Sequence, residues 1–270
     1  SKFGVGVNNA NSTVSVLQNK IETSATNSVN VTSATTGGVL ISENTLTDAL
    51  GNSVVISGTN HTVSKNLING TTGNAIAITS GTGNLISKNS IFTNSLLGID
   101  LANNGVTVND GNDSDSGANN LQNFPILGAS SVSGSSLNIK GCAPASSTLE
   151  IFIADQTSTT CPAGNRNASG DGSVMCYGEG KTYLGSATVP ASGSCNFVQD
   201  TDGNSITGLV NFSISVPAST IDNSGNSYIT ATATSSGSSS EFSANKQVLE
   251  PILLKVNKTI VSRLNSADQF

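Results

Sequence analysis

The sequence predicts an all-β protein in which a right-handed parallel β-helix of about four to five coils precedes an Ig-like antiparallel β-sandwich. Three observations predict this fold: a composition poor in charge, a repeat in the first half, and short alternating segments with four cysteines in the second half. The 270 residues suit two domains. We assign the β-helix with an acidic capping loop (102–120) to residues 1–120, the sandwich to 121–249, and a terminal strand segment to 250–270.

The composition favours many short strands joined by tight turns. Charged residues make up only 10% and aromatic residues 4%, whereas hydrophobic residues reach 36% and glycines number 28. A disordered chain usually carries far more charge, and β-branched residues with Gly and Asn are typical of strands and turns. The net charge of −6 without a Lys/Arg cluster predicts no nucleic-acid partner. No apolar run approaches the roughly 20 residues needed for insertion into a membrane.

A repeat runs through the first half of the chain. The string apolar-x-x-Asn-x-apolar recurs at residues 16–21, 41–46, 63–68 and 86–91, and its asparagines are 25, 22 and 23 residues apart. A second apolar pair follows each string with the same three steps. Two motifs that share one irregular period indicate coils of a parallel β-helix, each with about three short strands.

The repeated asparagine predicts a ladder along the helix axis. Asn suits a turn because it tolerates left-handed backbone angles, and stacked amides can hydrogen-bond from coil to coil. The alternative interpretation is a set of unconnected surface turns. The predicted ladder consists of Asn19, Asn44, Asn66 and Asn89.

The repeat offers no catalytic constellation. Many β-helices cleave polysaccharides, which requires paired carboxylates or a base beside a metal. Glu43 and Lys65 would be neighbours on an outward row, which is typical of a solvated face. His61 takes the position of Val39 and Asn84 in the adjacent coils and has no acidic partner in phase, so we interpret it as structural.

The junction after the repeat carries three aspartates within six residues. Such spacing can place several oxygens around one hard cation, although the closing Glu of an EF-hand is missing. A polar linker with solvated aspartates is the alternative. If the junction binds calcium, the ion would stiffen the joint between the domains. The predicted calcium ligands are Asn109, Asp110, Asp113, Asp115 and Asn119.

Short alternating segments in the second half predict a sandwich. The four cysteines indicate two disulfides and an oxidising compartment, since no Cys-x-x-Cys pair is present for zinc. We pair Cys161 with Cys176 around a polar loop and, by elimination, Cys142 with Cys195, although four cysteines allow three pairings. The predicted strands are 136–140, 148–154, 182–189, 195–198, 209–216, 228–234 and 241–248.

The residues around the junction carry a resemblance to a known family. The runs 89–101, 110–115 and 120–127 resemble secreted bacterial right-handed β-helix repeat proteins, most densely over 84–128 and more loosely to about 248. The segments 178–185, 229–234 and 240–243 are similar to the sandwich that follows the helix in that family. Residues 250–270 resemble the opening strand of prealbumin-like repeat domains, which are strung along bacterial surface proteins. Truncation of such a domain is our preferred interpretation of this segment.

The resemblance implies a modular protein that is extracellular or on the bacterial cell surface. We expect a non-catalytic structural or adhesive module whose partners are other domains or subunits of the same assembly. One alternative is a carbohydrate-binding or polysaccharide-degrading β-helix with a cell-surface glycan as its partner, for which Tyr177 and Tyr183 are the best platforms. Another is a filament subunit that assembles by adding residues 250–270 to a neighbour's sheet. Calcium is the only cofactor that the sequence suggests.

Overall fold

The structure is a computed structural model, and it describes residues 4–8, 13–32, 38–156, 161–162, 166–168, 174–197, 204–219, 221 and 227–249. The predicted fold class is confirmed: a parallel β-solenoid of about four turns is followed by antiparallel sheets consistent with a sandwich. The terminal segment 250–270 lies outside the described residues. None of the described residues belongs to a helix with the length and apolarity that a membrane crossing requires.

Each coil of the solenoid contributes three short strands. The strands are β1 (Val5–Asn8), β2 (Val14–Leu17) and β3 (Lys20–Glu22); β4 (Val29–Thr32), β5 (Val39–Ser42) and β6 (Thr45–Thr47); β7 (Val54–Ser57), β8 (Thr62–Ser64) and β9 (Leu67–Asn69); β10 (Ile76–Ser80), β11 (Leu85–Ser87) and β12 (Ser90–Phe92); and finally β13 (Ile99–Leu101).

Corresponding strands stack into three parallel sheets. Their orders are β1-β4-β7-β10-β13, β2-β5-β8-β11 and β3-β6-β9-β12. Alternate residues of each strand point inward, so apolar side chains of equal phase lie on one another from coil to coil. These columns are Val29, Val54, Ile76 and Ile99; Val16, Ile41, Val63 and Ile86; and Ile21, Leu46, Ile68 and Ile91.

The corners of the coils use left-handed residues, but at a different position from the one that the sequence suggested. The residue before each ladder asparagine has a positive φ: 55° at Gln18, 59° at Glu43, 55° at Lys65 and 54° at Lys88. None of the four asparagines has a positive φ. Tolerance of left-handed angles therefore does not explain why Asn is repeated. The explanation must lie in the hydrogen bonds of its side-chain amide.

A short 3-10 turn at Ala118–Leu121 follows the last coil, and antiparallel strands follow it. The strands are β14 (Ile126–Ser133), β15 (Ser136–Pro144), β16 (Thr148–Ala154), β17 (Arg166–Ala168), β18 (Val174–Cys176), β19 (Gly180–Thr188), β20 (Leu209–Pro217), β21 (Tyr228–Ser235), β22 (Ser238–Ser239) and β23 (Lys246–Gln247). One sheet has the order β14-β15-β20. The other has the order β19-β16-β21-β22, with β23 also paired to β21.

The two antiparallel sheets share an apolar core. Leu137, Ile139 and Phe212 come from the first sheet, and Leu149 and Ile151 come from the second. The predicted strand 148–154 coincides with β16, whereas β14 was missed. The predicted strand 195–198 is wrong over its described residues 195–197, which form no strand. There the backbone N–H groups of Asn196 and Phe197 donate to the side-chain oxygen of Asn211 instead of joining a ladder.

Strand β16 joins the two halves of the molecule because both of its faces are buried. Leu149 and Ile151 face the core between the antiparallel sheets, while Phe152 belongs to the hydrophobic cluster of the solenoid. Glu150 lies on the same face as Phe152, because side chains alternate along a strand. This face meets the last coil, and it brings together the candidate functional residues.

Candidate functional site

The four repeated asparagines form a continuous hydrogen-bonded ladder. The side-chain oxygen of Asn44 accepts the backbone N–H of Asn19 at 2.9 Å and its side-chain N–H at 3.1 Å. Asn66 accepts the same two bonds from Asn44, and Asn89 accepts them from Asn66, all at 2.9 Å. Asn44, Asn66 and Asn89 are buried, so the ladder satisfies polar groups inside the stack.

A second ladder, which the sequence did not reveal, includes the only histidine. The backbone N–H of Val39 donates to Nδ1 of His61 at 2.9 Å, and the N–H of His61 donates to the side chain of Asn84 at 3.0 Å. Burial lowers the pKa of His61. An accepting Nδ1 requires the neutral imidazole, which agrees with that direction. His61 thus occupies a structural position. The second ladder could have been predicted from the sequence, because His61 and Asn84 occupy the same position in adjacent coils.

The outward row beside the first ladder is exposed to solvent. Nε2 of Gln18 donates to Glu43 at 3.0 Å, and Nζ of Lys65 lies 4.0 Å from a carboxylate oxygen of Glu43. Nζ of Lys88 lies 5.5 Å from the centre of the Tyr183 ring. An exposed pair of this kind contributes about 0–1 kcal/mol to stability.

Three glutamates of the antiparallel part meet the last coil at its three sheets. Glu150 accepts the backbone N–H of Lys88 at 2.9 Å and the hydroxyl of Ser87 at 2.6 Å. Glu179 accepts the backbone N–H of Asn94 at 3.0 Å and its side-chain N–H at 2.6 Å.

The third glutamate, Glu241, accepts the backbone N–H groups of Leu101 at 2.8 Å and Thr107 at 2.9 Å. In each earlier coil, the coil that follows supplies the acceptors for the corresponding N–H groups. The three carboxylates therefore replace a missing coil, and we call them the carboxylate cap.

Neutral side chains complete the closure of the last coil. The side-chain oxygen of Asn119 accepts the backbone N–H of Asn84 at 3.0 Å and so ends the second ladder. The hydroxyls of Ser238 and Ser239 accept the N–H groups of Gly83 and Ile86, both at 2.9 Å. The end of the stack is thus bonded along its edge by groups from distant parts of the chain.

Burial dominates the electrostatics of the cap. Desolvation raises the pKa of Glu179 to about 7 against the hydrogen bonds from Asn94, and the charge of Asp155 raises it further. Desolvation likewise raises the pKa of Glu241 to about 8, and the neighbouring charge of Asp100 adds to the rise. Desolvation also raises the pKa of Asp100. Glu179 and Glu241 therefore hold protons at a pH where exposed carboxylates are ionised.

Aromatic rings seal the same joint. Phe152 and Phe242 pack edge to face with their centroids 5.5 Å apart, and both belong to the hydrophobic cluster of the solenoid. A Cβ atom on Gly98 of the last coil would lie 2.9 Å from the Phe242 ring. Gly98 therefore permits the close approach of the ring to the backbone.

The acidic loop brings three of the five predicted metal ligands together. Carboxylate oxygens of Asp110, Asp113 and Asp115 all lie within 4.8 Å of one another. Desolvation raises the pKa of Asp113 and of Asp115, and the charges of neighbouring aspartates raise both further. Asp110 also accepts the N–H of Ser114 at 3.0 Å.

The other two predicted ligands are engaged elsewhere. The side-chain oxygen of Asn109 accepts the N–H of Phe124 at 2.9 Å, and its side-chain N–H donates to the carbonyl of the same residue. Asn119 is part of the second ladder and also donates to the carbonyl of Ser239. The candidate metal group is therefore the three aspartates alone.

Two disulfides lie in the antiparallel part, Cys142–Cys195 and Cys161–Cys176. The first attaches the segment around Cys195 to β15, and the second anchors the chain at Cys161 to β18. Both Cys142 and Cys176 are fully buried. This is the pairing that the sequence favoured.

A cavity of about 360 Å³ opens beside the start of β14. Phe124, Leu127, Met175 and Phe197 supply its apolar lining. The tyrosines considered for sugar binding do not form exposed platforms. Tyr177 is buried against Phe124, and Tyr183 is partly buried against Phe152.

No protein-family model matches the sequence. What the site can do follows from its geometry. Each carboxylate of the cap is buried and bonded to backbone N–H groups of the last coil. This arrangement fastens the two halves of the molecule together and keeps the three carboxylates away from a dissolved substrate.

Proposed function

We propose that the chain is a structural or adhesive module of a bacterial extracellular surface protein, without catalytic activity of its own. The observation that carries this proposal is the carboxylate cap, because it makes the solenoid and the antiparallel sheets one continuous body. A stiff body with a second fold at one end suits a spacer that holds a binding surface away from a cell. The partners in this proposal are other domains or subunits of the same assembly.

Two further features support an extracellular location. Two disulfides suit an oxidising compartment. The resemblance to secreted β-helix repeat proteins adds the bacterial surface. The Ig-like character of the antiparallel sheets is also part of this proposal.

Incubation with a panel of acidic and neutral polysaccharides tests the proposal. We expect no new reducing ends and no unsaturated products, because none of the carboxylates in the cap is open to a substrate. Turnover of any polysaccharide would overturn the non-catalytic function and support the degrading alternative. Binding of one glycan without turnover would support the adhesive form and name its target.

A filament subunit is the other assembly that we propose to test. Its donor segment, residues 250–270, lies outside the described residues, so the proposal comes from the sequence resemblance alone. Electron microscopy of the full chain would show fibres if this segment joins a neighbouring sheet. Fibres that persist after deletion of residues 250–270 would contradict this route of assembly.

We also propose that the three aspartates bind calcium and stiffen the joint. Asp115 supports this, because its Oδ1 atom is buried and accepts no hydrogen bond from a described residue. Chelation should lower the melting temperature of the wild type, and Asp115→Asn should remove the shift while keeping the shape of the side chain. Glu22→Gln, at an exposed position, is the control. An unchanged wild-type melting temperature on chelation would remove the metal from the proposal.

A further inference from the structure

Strand β20 forms an edge of the antiparallel sheet with the order β14-β15-β20. It pairs with β15 over its whole length from Leu209 to Pro217, and no described strand pairs with its outer side. The strand lies within the chain, between β19 and β21, so its open edge belongs to the antiparallel part and not to either end of the sequence. An exposed strand edge is a template for pairing with another chain.

The hydrogen bonds at the two ends of β20 show which backbone groups point outward. The N–H of Asn211 donates away from β15, to the carbonyl of Ser194 at 3.3 Å, whereas the N–H of Ala218 donates to the carbonyl of Ser135, just before β15, at 2.9 Å. Because the direction alternates along a strand, Ser213 and Ser215 point their N–H and C=O groups outward. Among the described residues, nothing bonds to these groups.

Two other edge strands of the antiparallel part are covered. On β14, the carbonyl of Ser130 accepts the N–H of Leu249 at 3.1 Å. On β19, the carbonyl of Lys181 accepts the hydroxyl of Ser90 from the solenoid at 2.7 Å. Proteins usually protect a free edge with charged residues or a bulge. Strand β20 contains no charged residue and pairs with β15 without a shift in register, so only Pro217 at its end limits pairing.

The outer face of this edge suits a second copy of the same chain. Ser131 of β14, Asn138 of β15 and Ser215 of β20 lie side by side in one row across the sheet. If two copies pair antiparallel about Ser215, the row continues with Ser215 and Asn138 of the other copy. A hydroxyl both donates and accepts hydrogen bonds, so serine can face its own copy, whereas like charges directly opposite each other are destabilising.

The inner face of the edge leads to the same arrangement. Ile214 is only partly buried, although Phe212 and Val216 on either side of it are buried. Pairing about Ser215 places Val216 of the second copy opposite Ile214. The contact therefore removes apolar surface of both copies from water, which favours association.

We propose that β20 is a docking edge for a second copy of this chain, so that two three-stranded sheets become one continuous sheet. The two Ser215 residues exchange their backbone hydrogen bonds, and the N–H of each Ser213 donates to the carbonyl of Pro217 in the other copy. Proline has no N–H and needs none at that position. The contact is isologous, with a two-fold axis at Ser215, and it requires neither an adhesive nor a catalytic function.

Sedimentation of the full chain over a range of concentrations tests this proposal. We expect a monomer–dimer equilibrium. Ser215→Lys and Ser215→Glu should each weaken the dimer by about tenfold or more, because identical charges then face each other across the axis. An equimolar mixture of the two variants should dimerise again, because lysine of one copy then faces glutamate of the other.

Two controls separate this contact from other effects. Ser131→Lys adds the same charge at an exposed serine of the same row, two strands away from the edge, and should leave the dimer unchanged. Deletion of residues 250–270 should also leave it unchanged, which distinguishes the β20 contact from assembly through the terminal segment. A chain that stays monomeric at every concentration, a dimer that tolerates S215K, or a dimer lost on deletion of residues 250–270 would overturn the proposal.

Discussion

At the scale of single residues, the asparagines are needed for their amides. An amide has donors and an acceptor on one side chain. One Asn can therefore accept a hydrogen bond from the preceding coil and donate another to a carbonyl oxygen of that same coil. Asn66 does so: it accepts from Asn44 and donates to the carbonyl of Ile41 at 3.0 Å. The cost of the left-handed corner is borne by the preceding residue, at about 1–2 kcal/mol.

Asn66→Ala should lower the free energy of unfolding by about 2–5 kcal/mol, because it leaves the buried N–H of Asn44 without its acceptor and removes the side-chain hydrogen bond to the carbonyl of Ile41. Asn19→Ala is the matched control at the exposed end of the ladder and should cost less than about 1 kcal/mol. Urea unfolding of both variants measures the difference. Equal losses for the two positions would show that the ladder does not stabilise the stack.

Much of the structure at the residue scale could be predicted from the sequence. The positions of the ladder asparagines follow from their spacing, since each coil must repeat the same corner. The left-handed position was missed by one residue, because Gln, Glu and Lys have no intrinsic preference for positive φ. The second ladder was missed because His61 and Asn84 do not look alike as residues, although each offers a side-chain acceptor to the coil before it.

At the scale of elements, a glycine lets the antiparallel part pack closely on the solenoid. Gly98 lies between Leu97 and the start of β13, where the Phe242 ring packs on the backbone. Gly6 in β1 has the opposite environment, since nothing lies within 4 Å of an added Cβ atom. Substitution of Gly98 by alanine therefore tests close packing, whereas the same substitution at Gly6 tests only the conformational entropy of the backbone.

We expect Gly98→Ala to destabilise the protein by about 1–3 kcal/mol, because the new methyl group must displace a packed ring. Gly6→Ala should be neutral or stabilising by up to about 1 kcal/mol. Thermal unfolding followed by circular dichroism compares the two. If Gly98→Ala has the same melting temperature as the wild type, the Phe242 ring does not pack closely on the backbone of Gly98.

The disulfides should contribute according to the length of chain that each closes. Replacing Cys142 and Cys195 by serine opens a separation of 53 residues and should cost about 4 kcal/mol. The same change at Cys161 and Cys176 opens 15 residues and should cost about 3 kcal/mol. Denaturant titration of each double variant measures these losses. A larger loss for the shorter loop would indicate that strain or residual structure outweighs chain entropy.

The strands of the antiparallel part show what sequence patterns can and cannot reveal. The strand at 148–154 was predicted because Leu149, Ile151 and Ile153 alternate strongly. Strand β14 was missed because Ile126–Ser133 is rich in Gly, Ala and Ser, so its alternation is weak. Its identity as a strand depends on pairing with β15, and pairing is not visible in a local window.

At the scale of the whole molecule, the central feature is the carboxylate cap, and the sequence did not reveal it. Glu150, Glu179 and Glu241 come from three separate segments and share no motif. Only the tertiary fold brings them to the last coil. One signal was present, since Glu150 interrupts an otherwise apolar strand, and a buried carboxylate in such a strand requires hydrogen-bond donors.

The cap predicts that the protein is more stable in mild acid than in mild base. Glu179 and Glu241 have folded pKa values of about 7 and about 8, above the ordinary 4.5. Between pH 4.5 and these values the folded state binds more protons than the unfolded state, so the free energy of unfolding falls as pH rises. The loss is about 1 kcal/mol per pH unit for each group and ends near pH 8.

Melting temperatures from pH 5 to pH 9 test this dependence. The double variant E179Q/E241Q should have a much flatter profile, whereas Glu22→Gln should keep the wild-type slope. The slope is the diagnostic quantity, because glutamine also changes the hydrogen bonds and so the absolute stability. His61 acts in the opposite sense, since its lowered pKa removes stability as pH falls below 6.5. An unchanged slope in the double variant would assign the pH dependence to other groups.

Within the solenoid the cap bonds only to the last coil, so the earlier coils can be exchanged for one another without changing the bonds of the cap. Each coil presents the same asparagine corner to the next, and one coil occupies 22 to 25 residues. Duplication or loss of one internal coil would change the length of the body by about 4.8 Å, the spacing between paired strands. The length of the molecule can therefore change only in steps of one coil, and a gene rearrangement that adds or removes a coil leaves both ends of the solenoid unchanged.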